Sequence, residues 1–128
     1  MKKKINVAII GLGRVGSTFL KKLLLHQSKV ISIAAVAEKD LDARGIVMAK
    51  KYAIPLYEDI HDIVKMGDGI DVIFDLTGDK LVRQSLRISM VRSRNTHTVI
   101  APEIMAFLLW DLMSKGGKLP DAHAFKGY

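Results

Sequence analysis

Apolar positions along the chain follow two alternating patterns. Residues 5–10 form a nearly unbroken, mostly β-branched run, Ile5-Asn6-Val7-Ala8-Ile9-Ile10. A short run of this kind predicts a strand covered on both faces, as in a parallel sheet. From Arg14 to Gln27 the period lengthens to that of a helix, with Val15, Phe19, Leu20, Leu23 and Leu24 on one side and Lys21, Lys22 and Gln27 on the other. Val30 to Ala37 predicts a second buried strand, ended by Glu38-Lys39-Asp40. A helix over Leu41–Tyr52 follows, with Asp40 as its N-cap. Ile54–Tyr57 reads as a short extended piece whose Pro55 suits a sheet edge. Asp59–Lys65 reads as a short helix closed by Gly67 and Gly69.

Asp71–Leu76 predicts a third strong strand, and Asp79–Arg92 a helix with Val82, Leu86 and Met90 turned inward. Thr96–Ala101 predicts the last strand, and Pro102 opens a helix that runs to about Met113. Gly116-Gly117 break that helix, and residues 118–128 read as a loose tail. The strand–helix repeat predicts an α/β fold of three layers, doubly wound, with a mainly parallel sheet, right-handed crossovers and strand order 3-2-1-4-5. The expected organisation is one domain over 1–113 and a C-terminal tail over 114–128.

The length of 128 residues suits a single core, and 49% hydrophobic against 26% charged residues excludes a disordered or low-complexity chain. The absence of cysteine excludes a disulfide framework, thiol catalysis and Cys-based metal sites, and it agrees with a cytoplasmic setting. The apolar run after Met1–Lys4 is too short for a signal peptide and lacks a small-residue cleavage site. The runs Val30–Ala37 and Ile104–Trp110 are far short of a membrane span, so no membrane partner is expected.

The net charge of +7 is unevenly placed. Residues 1–29 hold seven Lys/Arg and no acid, whereas residues 30–78 hold five bases against nine acids. A basic amino-terminal region suits an anionic ligand. The basic helix with Lys80, Arg83, Arg87, Arg92 and Arg94 brings neither a reading helix nor aromatic stacking residues, so it reads as a solvated face and no nucleic acid is expected. His26, His61, His97 and His123 have no metal-ligand spacing, and no metal site is expected. Asp71 and Asp75 flank or end a strand and do not form a convincing catalytic pair; a structural role suits Asp75 better than an approach to a bound cofactor.

The candidate chemistry lies at the first strand–helix junction. Gly11-Leu12-Gly13-Arg14-Val15-Gly16 is a full G-x-G-x-x-G between a buried strand and an amphipathic helix. Gly11 permits the tight turn, Gly13 lets a diphosphate approach the backbone, and Gly16 lets helix and strand pack closely. The amides of the helix start then face the phosphates, with Arg14 positioned to add charge. Glu38, at the end of the second strand, suits the hydroxyls of an adenosine ribose and repels a 2′-phosphate, which favours NAD over NADP. Lys39 and Arg44 nearby weaken that preference. The plainer readings are a structural turn for the glycines and a loop cap for Glu38.

Residues 5–101 resemble the NAD(P)-binding Rossmann domain of dehydrogenases. The nearest groups are glucose–fructose oxidoreductase/inositol dehydrogenase, homoserine dehydrogenase and aspartate dehydrogenase. The resemblance rests on Val7 to Gly16, on Ala35-Val36-Ala37-Glu38, on Ala53 to Asp59 and on Asp71 to Gly78. It implies a dinucleotide at Gly11, Leu12, Gly13, Arg14, Val15, Gly16, Glu38 and Lys39, with Thr77 and Gly78 beside its ribose and nicotinamide. For Thr77 the alternative is a helix N-cap.

These families carry a lysine just after the fifth strand, where this sequence reads Ile100-Ala101-Pro102-Glu103. The 27 residues after Ala101 are too few for the families' substrate domain. No catalytic residue is assigned. The expected function is the cofactor-binding part of an oxidoreductase that lacks its own substrate domain. The alternative is a non-enzymatic module that senses NAD(H) through protein contacts, and S-adenosylmethionine on the same turn is a remoter reading. The helix over 102–113 is apolar almost all round, which predicts a homodimer or partner-protein contact beyond its sheet-facing side.

Overall fold

The computed structural model describes residues 4–26 and 30–113. The element order is β1 (Ile5–Ile10), α1 (Arg14–Leu25), β2 (Ile31–Ala37), α2 (Gly45–Lys51), β3 (Leu56–Tyr57), α3 (Ile60–Val64), a 3₁₀ turn (Gly67–Gly69), β4 (Val72–Asp75), α4 (Lys80–Ser93), β5 (Val99–Ala101) and α5 (Glu103–Met113). The five strands form one sheet in the order β3-β2-β1-β4-β5, and every pairing is parallel. Parallel pairing forces each connection to cross a face of the sheet, which is why a helix follows each of these strands.

The unbroken apolar runs are explained by the two layers they serve. Side chains alternate along β1, so Val7 and Ile9 join one core cluster and Ala8 and Ile10 the other. The first cluster holds Val15, Phe19, Leu20 and Leu23 of α1, Ile46 and Ala49 of α2, and Ala106 of α5. The second holds Ile63 of α3 and Leu86 and Met90 of α4. Phe19 is fully buried and its ring lies 4.9 Å from that of Phe74 at 56°, a tilted aromatic pair that binds α1 to β4.

Three element limits differ from the sequence reading. The second helix starts at Gly45 rather than Leu41. Asp40 does not cap it; its Oδ1 accepts from the Asp42 amide at 2.9 Å and its carbonyl accepts from Ala43, closing a separate turn. The last strand starts at Val99 rather than Thr96, because Asn95 Oδ1 accepts from the amides of both His97 and Thr98 and folds that stretch into a turn. The third strand is confined to Leu56–Tyr57. Gln27, His123 and the tail assigned to 114–128 lie outside the described residues.

Truncating Phe19→Ala is expected to cost about 3–5 kcal/mol in urea denaturation, from lost transfer energy and the cavity left behind. Val91→Ala on the solvent side of α4 should stay within about 0.5 kcal/mol.

Candidate functional site

The carboxyl ends of β1, β2 and β4 meet at one edge of the sheet, and the order reverses direction between β1 and β4. Gly11 leaves β1 with φ +95°, a backbone region that L side chains avoid, and its amide donates to the Ala37 carbonyl at 2.9 Å. A β-carbon on Gly11 would come within 2.9 Å of the Thr77 amide. On Gly16 it would overlap the Gly11 carbonyl, 2.7 Å from the carbonyl carbon. The first turn of α1 therefore rests directly on the strand end.

Gly13 is the N-cap of α1, in extended conformation and with no side-chain cap, and no acid lies in the first turn. A β-carbon there would meet nothing within 4 Å, so Gly13 faces open space. The first amides of α1 have no intrahelical acceptors, and they carry the positive end of a 12-residue helix. Leu12 and Val15 are fully buried, so their side chains belong to the core and only their backbone faces the turn. Arg14 is exposed, and its carbonyl accepts from the Thr18 hydroxyl at 2.7 Å.

Glu38 caps the loop. Its Oε1 accepts from the Leu12 amide at 2.7 Å and its Oε2 from the Asp40 amide at 3.0 Å. The carboxylate thus ties the end of β2 to the middle of the glycine turn, and each oxygen keeps a second lone pair. Lys39 is exposed beside it.

Thr77 is not the cap of α4. Asp79 is, accepting from the Leu81 amide at 2.8 Å. Thr77 instead donates its amide (3.2 Å) and hydroxyl (2.7 Å) to Asp75 Oδ1, while its hydroxyl oxygen accepts from the Asp79 amide at 3.1 Å. Gly78 adopts φ +64° between them. Asp75 is buried at the end of β4. Burial raises its pKa above the usual carboxylate value of 3.8, against the opposing donors of Thr77 and the charge of Arg83.

These groups line a cleft of about 200 Å³. Gly11, Gly13, Thr77, Glu38, Lys39 and Glu58 line it, with Ile60 and Val82 as apolar contributors. The structure therefore brings together Gly11, Gly13, Glu38, Lys39 and Thr77, while Leu12, Val15 and Gly16 act from behind as the turn's support. Glu103 is buried at the start of α5 and does not line the cleft. Among the described residues no group of three or more His, Asp or Glu is placed to hold a metal ion.

Two contributors escaped the sequence reading. Gly45 packs on the turn: its amide donates to the Leu12 carbonyl at 3.0 Å, and a β-carbon would come 2.7 Å from Leu12 Cβ. An isolated glycine within a helical pattern was the available signal. Asp79, opening a helix two residues after Thr77, was the other.

An all-parallel sheet in this order, covered on both faces and with a glycine turn opening its first helix at the carboxyl edge, defines a Rossmann-type dinucleotide-binding domain. Residues 11–101 match the family model described as homoserine dehydrogenase, NAD binding domain, and the chain belongs to that family. Its cofactor is NAD. Acetaldehyde dehydrogenase 5 of Rhodococcus jostii (strain RHA1) is 33% identical over 81 residues, which are 61% of this chain and 24% of that protein. Acetaldehyde dehydrogenase of Bacillus cereus (strain ATCC 10987 / NRS 248) is 33% identical over 79 residues, 61% of this chain and 26% of its own.

Crystalline S. aureus homoserine dehydrogenase superimposes with a TM-score of 0.60 at 22% identity, over 86% of this chain and 30% of that one. An oxidoreductase from Agrobacterium radiobacter, solved with NAD+, L-tartaric acid and magnesium, gives a TM-score of 0.56 at 20% identity, over 71% of this chain and 25% of its own. The chain spans about a quarter of the length of the curated relatives it matches. No described helix is long and apolar enough to cross a membrane.

Asp75 sets a pH dependence. With its pKa raised in the fold, the native state binds its proton more tightly than the unfolded chain. That contribution to stability is complete below the unfolded value of 3.8 and is lost as pH rises through the folded value. Asp75→Asn keeps an acceptor for Thr77 and removes the charge. Its stability relative to the parent should therefore be more favourable at pH 7 than at pH 3.5, measured by urea denaturation at both.

Proposed function

We propose that residues 1–113 are the cofactor-binding domain of an NAD(H)-dependent oxidoreductase, with the substrate held by protein outside these residues. The observation that carries this reading is the start of α1: an uncapped helix end without an acid in its first turn, behind a glycine whose β-carbon position is open to the cleft. That is a place for a diphosphate. In this reading the backbone of Gly11, Leu12, Gly13, Arg14, Val15 and Gly16 forms the phosphate cradle, and the exposed Arg14 side chain adds positive charge. The spare lone pairs of Glu38 accept from the adenosine ribose hydroxyls, Lys39 flanks them, and Ile60 and Val82 wall the adenine. Thr77 and Gly78 border the nicotinamide end.

Bound NAD supplies the hydride acceptor. This chain's residues bind and orient it. The Thr77 hydroxyl proton is committed to Asp75, so toward a ligand that hydroxyl presents an acceptor. Glu38 would repel a 2′-phosphate, which favours NAD over NADP. We also propose a cytoplasmic setting, with which the absence of cysteine agrees. We also assign α5 to a homodimer or partner contact, since Ile104, Met105, Leu108 and Leu112 stand exposed along it. That stripe, together with Pro102-Glu103 in place of the lysine, favours a second reading: a module that senses NAD(H) and signals through α5.

Thermal unfolding with added nucleotide tests the site. NAD at a hundredfold excess over its dissociation constant should stabilise the chain by about 2.7 kcal/mol. NADP and S-adenosylmethionine at the same concentration should do less. No shift with millimolar NAD would overturn the proposal. Glu38→Ala should weaken NAD binding about tenfold or more, the worth of a charged hydrogen bond, and bring the NAD/NADP ratio toward one. A mere loop cap would lower stability and leave that ratio unchanged.

A further inference from the structure

The exposed stripe of α5 and a groove elsewhere on the same layer of the molecule complement each other. The groove lies between α1 and α2 and encloses about 370 Å³. Its floor is apolar, from Leu24 and Leu25 of α1 and Val47 and Met48 of α2. Leu25 is 60% and Val47 75% exposed, so the groove opens an apolar floor to solvent. Lys21, Arg44 and Lys51 rim the groove, and among the described residues no acid lines it. An occupant must be apolar along one side and acidic at its edge.

Helix α5 answers that description. Ile104, Met105, Leu108 and Leu112 share the side opposite its buried residues, Glu103 and Ala106, and the exposed Asp111 borders that stripe. Among the described helices of eight or more residues, α5 is the one with acids and no Lys or Arg. The apolar stripe of α4 (Leu81, Ile88, Val91) is instead flanked by Arg87 and Arg92 and would meet the groove with like charge. From Ile104 to Leu112 the stripe runs about 12 Å, and from Arg44 to Lys51 the groove wall runs about 11 Å.

We infer that two copies of this chain pair by seating α5 of each in the α1–α2 groove of the other. The three helices lie side by side on one face of the sheet in the order α2-α1-α5: α1 packs on α2, and Lys22 of α1 stands 5.4 Å over the Trp110 ring of α5. A two-fold axis parallel to the helices, between α1 and α5 in the plane of contact, brings α5 over the partner's groove twice, and the interface closes on itself. All three helices leave the carboxyl edge of a parallel sheet, so they run the same way. Asp111, near the end of α5, then comes over Lys21 and Lys51, near the ends of α1 and α2. This deepens the α5 contact assigned above and rests on it.

Light scattering of the full chain across 1–100 µM, with circular dichroism to confirm folding, tests both levels. The parent should be a dimer. Leu108→Lys on the stripe and Val47→Glu in the groove should each weaken it about tenfold or more, because each buries a charge against apolar surface. Lys51→Glu and Asp111→Lys should each weaken it severalfold, and the two together in one chain should restore it. A monomeric parent overturns the α5 dimer and this seating together. A dimer broken by Leu108→Lys but indifferent to Val47→Glu keeps α5 as an interface and overturns the groove as its seat. Indifference to both, or failure of the charge exchange to restore association, overturns the seating as well.

Discussion

The first turn of α1 lies so close to the end of β1 that Gly16 has no room for a β-carbon beside the Gly11 carbonyl. Much of the site follows from that contact. It brings the helix amides to the carboxyl edge of the sheet, at the point where the strand order reverses. There Gly11 takes positive φ and lies against the Thr77 backbone, so the loops after β1 and β4 share one wall. Gly45 continues the packing on the far side of Leu12, and α2 starts where that packing permits. The glycines do different work: Gly11, Gly16 and Gly45 allow close approach, while Gly13 leaves the cleft open.

Around this contact the loops are held by carboxylates and hydroxyls that accept from backbone amides. Glu38 holds Leu12 and Asp40, Asp75 holds Thr77, Thr77 holds Asp79, and Asp79 holds Leu81. The last three bonds form a chain from the buried end of β4 to the start of α4. Each satisfies an amide that a strand end or helix start leaves over. The start of α1 has no such side chain, although acids abound in the neighbouring loops. The start of α1, capped by no side chain, borders the cleft, and a diphosphate is the acceptor proposed for it.

Some of this was legible in the residues and some was not. The Gly11–Gly16 motif and Glu38 carry their meaning at short range, through φ, side-chain volume and charge, so the turn and its neighbouring acid were readable. The role of Glu38 as a strut to Leu12 was not, because 26 residues separate the partners and only the β1–β2 pairing brings them together. Asp40 read as a helix cap and Asp79 as the first residue of its helix. The fold uses Asp79 for a helix and Asp40 for a separate turn, because Gly45 and not Leu41 is anchored on Leu12. Thr96–Thr98 carried a strand-like pattern, but Asn95 bonds locally to two of its amides and delays β5.

The chain by itself determined the alternation of elements, the burial of the strands on both faces, the parallel order and the glycine turn. These depend on the spacing of apolar side chains and on the absence of β-carbons, which are properties of neighbouring residues. Tertiary structure decided which polar groups meet across the sheet edge, where helices start, and that α5 turns half its apolar surface to solvent. Those outcomes depend on contacts between residues far apart in sequence, whose geometry exists only after the strands have paired.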